Sequence, residues 1–304
     1  MRKSPVNYSF KDVRRFYSLS HLEYFLSESR DVLNEVSRHT KHFYRPFKLK
    51  VKKKTRTIDN PIGTLRTIQQ KIHQRMLKKV PLPKFMFGSV SKKDIVKNAK
   101  IHANQRMIVV VDLKNCFPNT TTDRIYQVYK IKLGFSPKIA ALLTRLTTFK
   151  GHVPQGASTS STLVNIVLLP LYTSIKRYCD LHKLKMSFWV DDIAFSGRDA
   201  DKHLGRIIQF IQRNGYAVKK GKIKIMNRNF AQTVTGINVQ QTTTVPKEKI
   251  SRYEKDILNF FKERAEEKVE LSPSIQGKLA HVAYVNTKQG EALLAKAKRL
   301  SKET

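Results

Sequence analysis

The sequence predicts an α+β protein built around a split βαβ, ferredoxin-like sheet, and three observations carry that prediction. The central apolar pattern runs strand, helices, two paired strands, helix, strand, which is the order such a sheet requires. The chain has 304 residues, 40% of them hydrophobic, with 16 Phe and 11 Tyr, so it can bury a sizeable core without metal or disulfide staples. Its 12 glycines include no G-x-G-x-x-G run, which argues against a dinucleotide-binding Rossmann domain.

Taken in order, residues 10–40 read as one or two short amphipathic helices. FKLKVKKKTRTI, residues 47–58, alternates apolar and basic side chains. It predicts a β-hairpin with Phe47, Leu49 and Val51 on one face and lysines on the other. Pro61 and Gly63 break the chain, and helical spacing follows over 65–77. The β-branched run before Asp112 predicts a buried strand over 107–111. Helices are expected over 122–132, 137–148 and 158–182, the last bent at Pro170. Residues 186–196 read as two strands around a turn at Asp191 and Asp192, followed by a helix over 201–214. Strands over 216–226 and 230–240 come next, then three helices at 247–265, 272–286 and 289–301. No internal repeat or low-complexity tract interrupts this order.

Charge narrows the function. Lys and Arg total 59 against 23 Asp and Glu, a formal net charge of +36, which disfavours an ordinary small-molecule enzyme and selects a polyanionic partner. The densest basic run, 41–56, holds eight basic residues and no acid, although such a run alone is equally a solvated face. The longest strongly apolar stretch, 164–171, is interrupted by Asn165 and Pro170 and is far short of a span of about 20 residues. The opening MRKSPVNYSFKDVRRF lacks the apolar segment of an export signal. No membrane association is expected. Cys116 and Cys179 form neither a disulfide framework nor a zinc spacing. A reducing cytosol and two inert thiols are the expectation.

Two places carry chemistry. In FWVDDIAFSG, 188–197, adjacent Asp191 and Asp192 sit between apolar strand segments, costly if buried without compensation; an exposed hairpin turn favours the same residues. In IVVVDLKNCF, 108–117, Asp112 closes a buried strand. On neighbouring strands of one sheet, the three carboxylates would form a hard oxygen site suited to two Mg²⁺ ions. Such a pair of ions, about 4 Å apart, activates an attacking oxygen and stabilises a leaving one. With a charge of +36, the expected substrate is a nucleotide or nucleic acid.

These residues sit among others in a recognisable order. RPFKLKVKKKTRTIDNP and LRTIQQKI resemble reverse transcriptase fingers, and DLKNCFPNTT the first palm motif. VPQGASTSSTLVN resembles P-Q-G-A-x-x-S, with Asn165 at its usual place, and WVDD stands where the family has Y-A-D-D. NAKIH at 98–102 and VTG at 234–236 fit the N-A-x-x-H and V-T-G motifs of bacterial retron enzymes. The resemblance covers about residues 43–290. Trp189 and Val190 depart from the usual Tyr and Ala, and Ser158 and Ser161 from a frequent Pro.

The retron-type resemblance implies a right-hand polymerase with fingers, a ferredoxin-like palm sheet and a helical C-terminal thumb. It divides the chain into an N-terminal helical extension, 1–40, and fingers over 41–106 with 136–160 interleaved. The palm takes 107–135 and 161–245, and the thumb 246–304, with no fused nuclease or effector domain expected. Asp112 and Asp191 would hold the two Mg²⁺ ions, with Asp192 a weaker ligand. Arg56 would neutralise the dNTP triphosphate, a job for a planar, permanently charged donor set. Phe117 would be the steric gate against a ribose 2′-OH, although a core Phe reads the same. Gln155 and Gly156 would lie under the incoming nucleotide, Gly156 permitting close approach, and Lys222 would protonate departing pyrophosphate. Asn98, His102, Val234, Thr235 and Gly236 are retron markers that touch RNA or brace the fold. Lys255, Lys262 and Lys278 could track a duplex.

The family reading is RNA-directed DNA synthesis on a cognate structured non-coding RNA. It gives branched, RNA-linked single-stranded DNA and serves antiphage defence with a separate effector protein. Two other readings stay open. One is a defence reverse transcriptase with untemplated or protein-primed synthesis. The other is an RNA-binding scaffold that restrains an effector.

Overall fold

The computed structural model describes residue 10 and residues 18–51, 54–263 and 271–303. Parts of the expected N-terminal extension, the basic run and the 247–265 helix lie outside them. Helices α1 (Leu19–Leu26) and α2 (Arg30–Arg38) start at Ser18 and Ser29, whose hydroxyls accept from His21 N and Val32 N. Each side chain satisfies one of the donors that a helix start leaves open. The hairpin follows as β1 (Tyr44–Val51) and β2 (Lys54–Pro61), antiparallel throughout. It is longer than its alternation predicts, and its expected apolar face is not buried: Phe47 and Leu49 are 47% and 45% exposed. Helices α3 (Gly63–Arg75) and α4 (Ile95–Lys100) lead to β3 (Met107–Asp112).

After β3 come α5 (Thr122–Gln127), one π-helical stretch (Val128–Lys132), α6 (Pro137–Thr147) and α7 (Ser160–Leu181). Helix α7 runs through Pro170. Proline has no N–H to give to the carbonyl four residues back, and Lys132 Nζ donates to that Ile166 carbonyl at 2.6 Å instead. Strands β4 (Lys185–Trp189) and β5 (Asp192–Gly197) form the expected hairpin. Its turn falls at Val190 and Asp191, so Asp192 already belongs to β5 and the predicted turn is one residue late.

The stretch 201–214 is a 3₁₀ turn (Ala200–His203) followed by α8 (Leu204–Arg213). The expected strands over 216–226 and 230–240 are much shorter. They reduce to β6 (Lys224–Asn227) and a small ribbon of β7 (Thr233–Val234) and β8 (Ile237–Asn238). The chain between β6 and β7 is held by a side chain: Gln232 Nε2 donates to the carbonyls of Gln105, Arg106 and Met226. Helices α9 (Lys247–Lys262), α10 (Pro273–Val285) and α11 (Thr287–Glu303) close the described chain.

The sheet order is β4-β5-β3-β6, every neighbouring pair antiparallel. The last strand lies beside the first and the third between first and second, the ferredoxin-like arrangement expected. Alternation along the strands splits the sheet's contacts. Val109, Val111, Ile193 and Phe195 pack into a core with α7 and α8. Ile108, Ala194 and Met226 pack into a second core with α4, the β7–β8 ribbon and the C-terminal helices. Among the described residues no helix is long and apolar enough to cross a membrane.

Candidate active site

The register of β3 against β5 does what spacing alone could not show. Asp112 pairs with Asp192 across the antiparallel ladder, which brings their Cα atoms to about 4.5–5.5 Å. Asp191 is tied in from the turn, its carbonyl accepting from Leu113 N at 3.1 Å. Asp112 is buried, and the other two are partly covered. Lys222, on a 3₁₀ turn (Lys220–Lys222), places its Nζ on Asp112 Oδ2. That turn is anchored where Lys219 N donates to the Asp112 carbonyl at 2.9 Å.

Asp191 and Asp192 resist their own charge. Burial raises the Asp191 pKa, with the Asp112 charge adding to it, while Lys222 and Arg56 pull it down. Burial likewise raises Asp192 to about 6, reinforced by Asp191 and Asp112 and opposed by Lys222 and Lys224. Desolvation and like charge both favour the protonated form. A divalent cation would reverse both effects, and the donors are the hard oxygens that Mg²⁺ takes. Among the described residues no three His, Cys, Asp or Glu side chains converge to cage an ion by themselves. The oxygen donors of Asp112, Asp191 and Asp192 are nonetheless of the kind a divalent cation takes alongside water and phosphate oxygens. The donor set therefore fits a cation shared with a phosphate substrate.

The turn carrying Asp191 is held in a strained shape. Val190 has φ +55°, uncommon for a β-branched residue. Its carbonyl accepts from the buried Tyr172 hydroxyl at 2.5 Å, and the Tyr172 ring stacks on Phe188 at 3.6 Å. A Cβ on Gly88 would lie 2.6 Å from Val190 Cγ2 and 2.7 Å from Val190 N, so only glycine admits this approach. Asn165 Nδ2 fixes the Gly88 carbonyl at 2.8 Å. Tyr172 and Gly88 had no sequence signal beyond an apolar helix and a loop glycine.

The other expected residues gather unevenly. Arg56 is exposed on β2, and its charge reaches Asp191. Gln155 and Gly156 lie against the same strand: Asp59 N donates to the Gln155 carbonyl at 2.7 Å. At Gly156, φ is +128° and a Cβ would meet Ile58 Cγ2 at 2.7 Å. Glycine at this position thus also permits a close approach to β2 of the hairpin. Phe117 is half-buried against the main core, in the loop after β3. Of the three lysines weighed for a duplex, Lys278 is paired to Asp256 at 2.8 Å, while Lys255 and Lys262 are exposed.

The retron-type markers lie on the other core. His102 is fully buried, its Nδ1 2.7 Å from Ser196 Oγ and its Nε2 2.8 Å from Ser187 Oγ. Burial, helped by the Lys185 charge, lowers its pKa to about 3, so the ring is neutral. Asn98, also buried, donates to Thr235 Oγ1 at 3.4 Å, and Thr235 Oγ1 donates to the Ile95 carbonyl at 3.1 Å. Val234 is buried, while Thr235 (φ +48°) and Gly236 (φ +76°) make the turn that allows this contact. The two motifs, 136 residues apart at Asn98 and Val234 by numbering alone, thus meet inside the protein.

A solved telomerase from Candida albicans, in complex with a fragment of telomeric RNA, superposes with a TM-score of 0.51 at 11% identity, covering 84% of this chain and 63% of that one. The likeness is one of fold, a mixed α+β architecture. The family model described as reverse transcriptase (RNA-dependent DNA polymerase) matches residues 38–272, and the chain belongs to that family. Curated relatives include the retron Se72 reverse transcriptase of Salmonella heidelberg, 29% identical over 62% of this chain and 49% of its own. The retron Mx65 reverse transcriptase of Myxococcus xanthus is 28% identical over 80% and 61%, and the retron Ec86 reverse transcriptase of Escherichia coli 25% over 83% and 78%. The chain thus spans about half to three-fifths of the first two relatives.

Proposed function

We propose that this chain is an RNA-directed DNA polymerase that copies a cognate structured non-coding RNA into branched, RNA-linked single-stranded DNA. The observation that carries the reading is the Asp112–Asp192 register pair with Asp191 beside it, in a chain that the reverse transcriptase model matches over 38–272. Asp112 and Asp191 hold two Mg²⁺ ions, with Asp192 the weaker ligand. When bound, the ions supply Lewis-acid stabilisation of the attacking and leaving oxygens. Arg56 neutralises the triphosphate, Phe117 bars the ribose 2′-OH, and Gln155 and Gly156 seat the hairpin against the nucleotide site. Lys222 gives its proton to the pyrophosphate oxygen.

In this reading the fingers are 41–106 with 136–160, the palm 107–135 and 161–245, the thumb 246–304, and 1–40 an extension. Synthesis starts from an RNA 2′-OH, in the bacterial cytoplasm, and a separate effector protein completes a defence system. Sequencing the nucleic acid that copurifies with the chain tests this. The expected product is DNA complementary to, and branched from, one RNA, absent when Asp112→Asn is expressed. DNA without complementarity to any RNA would favour untemplated synthesis instead.

A further inference from the structure

At the end of the palm sheet away from Asp112, the strand ends Met107, Gly197 and Asn227 meet in register. From Met107 to Asp112 the strand climbs about 17 Å. Two adjoining clefts open there, of about 500 and 750 Å³, within the ~300–1,000 Å³ that hold nucleotide-sized ligands. They share Asn104 and Arg228. No residue lining either is acidic. Arg106, Arg198 and Arg228 line them with the amides of Asn229, Gln240 and Gln241.

The site is built rather than merely exposed. Arg228 Nη2 donates to Asn104 Oδ1 at 2.7 Å, which fixes the guanidinium plane. Asn104 sits at φ +57° and donates its N–H to the Val239 carbonyl at 3.0 Å. Gln240 Nε2 holds the Arg228 and Phe230 carbonyls, each at 3.2 Å. The Oδ1 of Asn238, which lines the smaller cleft, is buried without a hydrogen-bond partner. Phe230, two residues after Arg228, stands 65% exposed.

We infer that these clefts are a second RNA site, which holds unpaired nucleotides of a folded RNA while the carboxylate edge holds the growing end. Guanidinium groups match phosphate, amides read base edges, an exposed ring stacks a splayed base, and the Asn238 oxygen accepts a base N–H or a 2′-OH. Sequence-selective RNA recognition uses this combination, because the groove of a duplex hides its bases while loops present them. The inference deepens the proposed function, since it assumes an RNA partner.

The test uses the full chain at 200 mM salt, where phosphate attraction alone is weak. The probe is a fluorescent 12-base-pair RNA hairpin closed by an eight-nucleotide loop, compared with the same duplex lacking a loop. Phe230→Ala and Arg198→Glu are each expected to weaken hairpin binding by at least about fivefold and duplex binding by less than twofold. DNA synthesis on poly(rA)·oligo(dT) should stay within twofold of the parent. Asp112→Asn should lose that synthesis and keep hairpin binding. Equal hairpin affinity in the parent and both variants would overturn the site. Displacement of hairpin by polyglutamate from the parent, with unchanged affinity in the variants, would also overturn it in favour of an acidic protein surface. Absence of synthesis by the parent would instead sink the polymerase reading and leave the binding comparison readable.

Discussion

The four-stranded sheet meets buried polar groups in two places, at the carboxylate end of β3 and β5 and where β4 and β5 face His102, and the protein treats the two differently. Beside β4 and β5, His102 has a hydroxyl for each ring nitrogen and stays neutral. At the strand end, three carboxylates share a single close ammonium, Lys222, with Arg56 and Lys224 acting at longer range. A buried polar group that is fully satisfied rigidifies a core, whereas crowded like charges cost stability unless something else arrives. On the proposed function, the two places would have different roles: the neutral His102 cluster would brace the sheet, and the charged edge would hold a divalent cation together with a phosphate.

The largest test of that contrast is at the charged edge. Asp112→Asn or Asp191→Asn should lower dNTP incorporation by at least ~10³-fold, since metal catalysis supplies several kcal/mol, with thermal stability unchanged or raised. Near-normal primer extension by either variant would erase the distinction. His102→Ala should do the reverse. It strands two buried hydroxyls and leaves a cavity, costing about 2–4 kcal/mol in urea unfolding, with activity falling only as the fold does. Unchanged stability with weakened RNA binding would move His102 from bracing to recognition.

Between them stands Phe117, half-buried and so compatible with either role. Phe117→Ala is expected to shrink the dNTP preference over rNTPs by about 10–100-fold, the scale of a lost steric contact of ~1–3 kcal/mol. Unaltered discrimination with reduced stability would return the residue to the core.

Much of this contrast was legible in the sequence, and the missing part has one physical cause. Local patterns carried Asp112 to a strand end, Asp191 and Asp192 to a hairpin, and the ferredoxin-like order to the sheet. Partners distant in sequence stayed hidden. The Asp112–Asp192 register depends on a turn at Val190 and Asp191, made possible by Tyr172 and Gly88. The serines that satisfy His102 lie on two other strands, 85 and 94 residues away. Within 216–240, where the strands are shorter than expected, Gln232 likewise bonds residues distant in sequence, the carbonyls of Gln105 and Arg106. At Gly156 the contact that a Cβ would make with Ile58 Cγ2 of β2 likewise joins residues far apart in sequence.

The smallest effect separates the two regions most directly, because their proton linkages have opposite signs. His102 has a folded pKa of about 3, below its unfolded 6.5, so below 6.5 the unfolded chain binds a proton that the folded one refuses. Its contribution is therefore complete above 6.5 and declines as pH falls toward 3. Asp192 has a folded pKa of about 6, above its unfolded 3.8. The folded chain holds that proton more tightly, so stability declines as pH rises from 3.8 to 6 and stays reduced above. Each group contributes a slope of at most about 1.4 kcal/mol per pH unit. Urea unfolding in EDTA between pH 4.5 and 7.5 should then show Asp192→Asn more stable than the parent at pH 7, with the gap closing toward pH 4.5. His102→Ala should show its largest deficit above pH 6.5 and a smaller one in acid. Saturating Mg²⁺ at pH 7 should stabilise the parent and narrow the Asp192→Asn advantage, since a ligand that binds only the folded state shifts unfolding by mass action. Flat difference curves for both variants would mean that the two polar clusters do not differ in charge state, and the contrast between them would fall.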